Sequence, residues 1–158
     1  MTIPTDEITI RQAKETDRAF IFSLSPRLSE VAKLAWHTDA HMQKMQDDYI
    51  TEVIDNNTGA NITFIAEQNG TALGFIHACE HKDSISNETC GLIPLLAVCP
   101  AAQGMGIGHQ LMKAAETWAK QQGYRLVHLE VFANNGKAHN FYQNLGYEAE
   151  MINMVKPL

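Results

Sequence analysis

The sequence has no apolar run near the eighteen or so residues that a membrane span requires. Its first residues, Met1-Thr2-Ile3-Pro4-Thr5-Asp6-Glu7, lack the basic start and apolar stretch of an export signal, so no membrane partner and a cytoplasmic location are expected. Cysteine is scarce: Cys79, Cys90 and Cys99 are odd in number and without CxxC spacing, which argues against a disulfide framework and a zinc ribbon. Positive charge is also in short supply, with twelve Lys and Arg against eighteen Asp and Glu and a formal net charge of −6. With no basic run to displace counterions from phosphates, a nucleic-acid partner is disfavoured, and cationic partners such as amines suit the sign better. Repeats, low-complexity tracts and long linkers are missing as well.

What is present is an ordinary globular mixture of 158 residues, 45% apolar and 19% charged, which fits one domain over 1–158 with a core from about 8 to 156. Ile8 and Ile10 alternate as in a strand, and Phe20, Ile21 and Leu24 begin helical material. Leu28, Val31, Ala32 and Ala35 form a helical face ending near Trp36-His37; Met42, Met45, Tyr49 and Val53 mark another helix, stopped by Asn56-Asn57-Thr58-Gly59. The period then shortens. Residues 62–68 and 72–81 read as strands joined at the Asn69-Gly70 turn, and 89–98 as a third, buried strand after a polar loop. Leu111, Met112, Ala115, Trp118 and Ala119 define a helix closing at Gly123. A strand over 125–132, a short helix with Ala138, Phe141, Tyr142 and Leu145 on one face, and terminal strand material over 147–155 complete an α/β chain, a mixed sheet with helices on both faces.

Between the buried strand and the long helix lies Gln103-Gly104-Met105-Gly106-Ile107-Gly108. Its alternate glycines remove side chains that would hold a ligand off the backbone, and the helix start points unpaired N–H groups outward, an arrangement suited to phosphate. A P-loop would need Lys at 110, 112 or 114, where Gln, Met and Ala stand. The dinucleotide fingerprint needs Gly at 109 or 111, where His and Leu stand, and too few residues follow for a doubly wound sheet. The segment resembles the acyl-CoA signature Q/RxxGxG/A of the GNAT superfamily of N-acetyltransferases, matched by Gln103, Gly106 and Gly108. A second block agrees: Asn135 to Tyr147 matches NxxAxxFYxxxGF, with Tyr for the last Phe. Leu96-Ala97-Val98-Cys99-Pro100 and Ile8 to Ala13 resemble the family's strand before the loop and its first strand.

The resemblance implies a GNAT-type fold with a central, mostly antiparallel sheet, and transfer of an acetyl group from acetyl-CoA to a primary amine, best a small molecule's. Protein N-termini or lysines as acceptors, and a sensor that holds CoA without turnover, are the alternatives. It implies that the backbone of Gly104, Met105, Gly106, Ile107, Gly108 and His109 holds pyrophosphate beside Gln103, and that Asn135, Ala138, Phe141 and Tyr142 flank the coenzyme. The strand before the loop is expected to bulge and splay, freeing N–H groups of Leu96, Ala97 and Val98, with Leu96 at the thioester carbonyl. Tyr142 is the expected general acid, since a phenol stays protonated where a thiol does not. The carboxylate that many relatives place before the bulge is missing from Ile93-Pro94-Leu95-Leu96. Glu88, or Glu80 on the neighbouring strand, would then act as base through water. His77, Cys79 and His81 share one strand face as a base or metal alternative, though exposed hairpin residues are the better expectation and no metal is called for. His37 and His41 do not form the zinc-protease HExxH motif, because Thr38 stands where Glu is needed. Trp36, His37, His41, Met42, Met45 and Tyr49 fall where the family covers its acceptor pocket, with ordinary helix packing the expectation for them. The family's habit of forming homodimers makes a second copy a further partner.

Overall fold

The computed structural model describes residues 7–30 and 33–158. Five strands form one sheet in chain order: β1 (Thr9–Gln12), β2 (Asn61–Gln68), β3 (Thr71–Lys82), β4 (Thr89–Val98) and β5 (Val127–Leu129). The first three pairings are antiparallel and β4 pairs β5 in parallel. Asn69 and Gly70, at φ 50° and 79°, make the left-handed two-residue turn that matches strand twist and sets the β2–β3 register. The helices are α1 (Arg18–Ser23), α2 (Ser25–Glu30), α3 (Asp39–Asp55), α4 (Ile107–Gln121) and α5 (Gly136–Asn144). Among the described residues no helix is long and apolar enough to cross a membrane.

Alternation along the strands feeds two cores. Ala66, Ile76, Ala78 and Ile93 pack with Ile107, Leu111, Met112 and Ala115 of α4, with Phe141 and Tyr142 of α5 against them. Ile65, Phe75, Leu95 and Ala97 pack on the other face with Ile21, Leu24 and Ile50. The helices stop for local reasons: Gly123 and Gly146, at φ 83° and 94°, let Tyr124 donate to Ala119 O and Tyr147 to Tyr142 O, closing α4 and α5. α3 starts at Thr38, whose hydroxyl accepts from His41 N at 3.1 Å.

Three expectations change. Ala35 lies in a turn rather than on a helix, and Val31 and Ala32 of that expected face lie outside the described residues. The 125–132 strand shortens to β5. Residues 147–155 form no strand and stand exposed from Glu148 onward, because no strand of the same chain pairs with them.

Edge strand β1 is secured by Arg11. Its guanidinium donates to both oxygens of Asp17 at 2.7 and 2.9 Å and to Glu67 at 2.9 Å, and Asp17 also accepts the N–H of Lys14 at 2.7 Å. The Arg11 hydrogen bonds, with help from that N–H, hold the Asp17 carboxyl below its usual range. A depressed carboxyl contributes stability that is complete above the unfolded value and is lost as pH falls through the folded one. Arg11→Met is expected to cost about 2–3 kcal/mol at neutral pH by leaving Asp17 buried without its cation. It should also reduce the loss of stability on acidification below about pH 4, as urea titrations across pH will show.

Candidate active site

The site grows from a change of step in β4. His77 pairs with Leu95 while Cys79 pairs with Leu92, so three residues of β4 oppose two of β3 and the extra one falls at Ile93-Pro94. The packing agrees, because Ile93 faces α4 whereas Leu95, of the same parity, faces α1. β5 pairs with Gly91, Leu92 and Ile93 and no further, so β4 beyond the bulge has no neighbour on that side. Cys99 N–H donates to Leu73 O at 2.8 Å, which fixes the ladder: Phe75–Ala97 and His77–Leu95 are hydrogen-bonded pairs and the residues between them point outward. Leu96 and Val98 therefore aim their N–H groups into the gap beside β5. Ala97, expected among the free donors, is committed to β3.

Beyond β4 the chain makes a 3-10 turn at Pro100–Ala102 and reaches Gly104 (φ 83°) and Gly106 (φ 76°). A Cβ on either would meet nothing within 4 Å, so both sit on open surface in the left-handed conformation that glycine permits, with Met105 exposed between them. Gly106 caps α4 without a side chain, and the first amide bonded back within the helix is Gln110 N to Gly106 O, at 3.2 Å. The N–H groups of Ile107, Gly108 and His109 are thus unpartnered within α4, while the Ile107 side chain is buried and fixes the helix start.

Gly108 has a different task from the one expected. A Cβ there would lie 3.1 Å from Phe141 Cζ, so its bare backbone makes room for α5 rather than for a ligand. The start of α5 is drawn to the loop by that contact, by the His109–Phe141 ring contact at 5.1 Å, and by Lys137 Nζ, 3.4 Å from Gln103 Oε1. Lys137 is a cation at the loop that the sequence reading passed over, because nothing in its spacing distinguishes it from a solvated lysine. Asn135 caps α5, its oxygen accepting from Ala138 N at 3.2 Å, which also uses the Ala138 amide. Tyr142 packs edge-on to Phe141 and Tyr147, and burial pushes its phenol up to about 12.

The candidate bases are not brought to this place. Glu88 binds Arg125 and Ser86 before the start of β4, eight residues or roughly 25 Å of strand from Leu96. The Glu80 side chain lies over Gly59. His77 and Cys79 are buried rather than exposed, at 1% and 7%. Nδ1 of His77 lies 2.7 Å from Thr63 Oγ1, its Nε2 has no partner, and burial lowers it to about 4. Nor do His77, Cys79 and His81 form a ligand set. The potential ligands gathered within 4.8 Å among the described residues are Asp83, Cys90 and His128. There Asp83 Oδ1 accepts the N–H groups of Ile85 and Ser86, and its Oδ2 lies 2.9 Å from His128 Nε2, so the carboxylate closes its own turn.

A family model described as the acetyltransferase (GNAT) family matches residues 27–147. The chain belongs to that family. This acetyltransferase is 29% identical over 143 residues to YhfO, an uncharacterised N-acetyltransferase of Bacillus subtilis, covering 90% of this chain and 91% of the relative. It is 27% identical over 149 residues to the aminoalkylphosphonate N-acetyltransferase of Salmonella typhimurium, covering 94% and 90%. Its fold matches the aminoglycoside N-acetyltransferase AAC(6')-Iy in complex with CoA, with a TM-score of 0.71 at 20% identity over 99% of each chain. It is an acyl-CoA-dependent N-acetyltransferase.

Because Gly108 is packed against Phe141, Gly108→Ala should destabilise the acetyltransferase by about 1–2 kcal/mol through overpacking. Adding Phe141→Leu should restore part of that loss, and a double-mutant cycle by chemical denaturation reads the coupling.

Proposed function

We propose that this acetyltransferase carries an acetyl group from acetyl-CoA to a primary amine of a small molecule, with Tyr142 as general acid. The observation that carries the reading is the parting of β4 from β5, which leaves the Leu96 and Val98 N–H groups fixed and unpaired beside an open, glycine-lined helix start. The residues fit the coenzyme: Gly104 and Gly106 clear a cradle that a Cβ would fill, the first N–H groups of α4 face it, and Lys137 adds a positive charge. The acetyl thioester supplies an activated carbonyl and a thiol leaving group.

The chain's own groups then have separate tasks. Pyrophosphate rests on the N–H groups from Gly104 to His109, with Gln103, Lys137 and the Asn135 amide alongside. The Leu96 N–H, held in place by the pairs on either side of it, donates to the oxygen that becomes negative when the amine attacks the carbonyl. Tyr142 gives its proton to the departing sulfur. A thiol ionises near 8.5, well below the roughly 12 of this phenol, and Tyr142 therefore remains protonated until thiolate appears. The proton lost by the amine passes to water, as Glu88 and Glu80 lie elsewhere. Relatives named for aminoalkylphosphonates and aminoglycosides, together with this chain's net charge of −6, support a small cationic amine as acceptor.

Tyr142→Phe tests the reading. It keeps the ring contacts, so folding and coenzyme affinity should hold while kcat falls on the order of a hundredfold, with partial recovery on a donor thioester whose thiol is more acidic. A wild-type kcat in this variant, with chemistry limiting, would remove Tyr142 from the mechanism.

The pH profile gives a second check. Tyr142, raised to about 12, and His77, lowered to about 4, keep one protonation state across the neutral range. Between about pH 6 and 9, kcat/KM should rise as the amine loses its proton, and the midpoint should follow the pKa of the amine when acceptors are exchanged.

A further inference from the structure

The residues after Tyr147 stand out from the rest of the surface. Half of the exposed large apolar side chains among the described residues fall in the last eight positions: Met151, Ile152, Met154, Val155 and Leu158. The segment Met151-Ile152-Asn153-Met154-Val155 carries no charge, glycine or proline, and its apolar side chains occur at both odd and even positions, so neither side of an extended chain is made for water. Its root is fixed. Tyr147 donates to Glu116 at 2.7 Å, and the Glu150 carboxylate lies 3.8 Å from His128 Nδ1 on β5. The arm therefore passes β5, the outermost strand of the sheet, whose outer edge pairs with no strand among the described residues. An open strand edge beside an exposed apolar strand sequence is a paired need that one copy leaves unmet.

We infer that residues 151–155 of each chain add as a strand beside β5 of a second copy, so that the protein pairs by exchanging its arms. A two-fold axis beside β5 satisfies both edges at once and caps the sheet on each side. The surface suffices: each of the five side chains carries on the order of 100 Å² of apolar area, and two arms bring about 1,000 Å², the scale of a specific interface. A lipid surface is the poorer occupant, because the segment has Lys156 as its lone cation, the chain is acidic overall, and the apolar groups are not gathered on one helical face.

Sedimentation velocity of the full chain from about 1 to about 100 µM, with amide hydrogen exchange at both ends of that range, tests this. The expected result is a dimer in which 151–155 and β5 are protected, with protection fading on dilution. Met151→Glu with Met154→Glu should yield a monomer with unchanged circular dichroism, since both side chains are exposed, and Ile152→Lys should act alike. A wild-type monomer throughout, whether or not it sediments with anionic phospholipid vesicles, overturns the inference. So does a dimer that leaves 151–155 unprotected or that survives both sets of substitutions.

Discussion

Two neighbouring strands that separate after three rungs set the terms for everything else in this molecule. β4 is held by β5 at Gly91, Leu92 and Ile93, and there the pairing ends, at the residue before a proline that has no N–H to offer. The extra residue at Ile93-Pro94 reverses the strand's alternation, turning Leu95 and Ala97 towards α1 and the amides of Leu96 and Val98 into the gap. Without that reversal the same amides would lie in the β3–β4 ladder. A single added residue thus converts structural hydrogen-bond donors into donors available to a substrate, and β3 on the other side keeps them from moving.

The gap is also kept free of charge changes. Burial works in opposite directions on its two nearby classes of titratable group: it raises the Tyr142 phenol to about 12 and lowers the His77 imidazole to about 4. Both stay neutral through the range in which amines and thiols ionise. The carboxylates of the sheet are engaged elsewhere, Glu67 with Arg11 and Glu88 with Arg125. Ionisation in the reaction is left to the reactants, and the protein contributes fixed dipoles.

Much of this was legible in the sequence, and the parts that were not share a cause. The Asn69-Gly70 turn, α3, α4 and α5 follow from local period and turn chemistry, and the glycines at 104 and 106 from the need for positive φ. The bulge was invisible because Ile93-Pro94-Leu95-Leu96 is apolar throughout, and a run without polar residues has no alternation in which a slip can show. Glu88 looked like a distant base because sequence does not reveal that Arg125 arrives beside it from the far side of α4. His77 read as exposed because a polar residue alternating with others signals a solvated face, yet α1 and α3 cover that face. Gly108 was read with its neighbours in the loop, whereas the partner that demands it, Phe141, lies thirty-three residues away.

The short β4–β5 seam has a bearing on how evenly the fold is held together. β1 to β4 form a continuous antiparallel sheet with a core on each face, and β5 with α5 is joined to it by three rungs and by contacts such as Gly108 with Phe141. The free protein is therefore a firm body carrying a loosely seamed flap, and the flap is the unit with the lower opening free energy. A coenzyme lodged between the two would complete the seam that the backbone leaves undone. The bound donor then serves as a missing stretch of sheet, and its departure as a free thiol returns the flap to its looser state in every catalytic cycle.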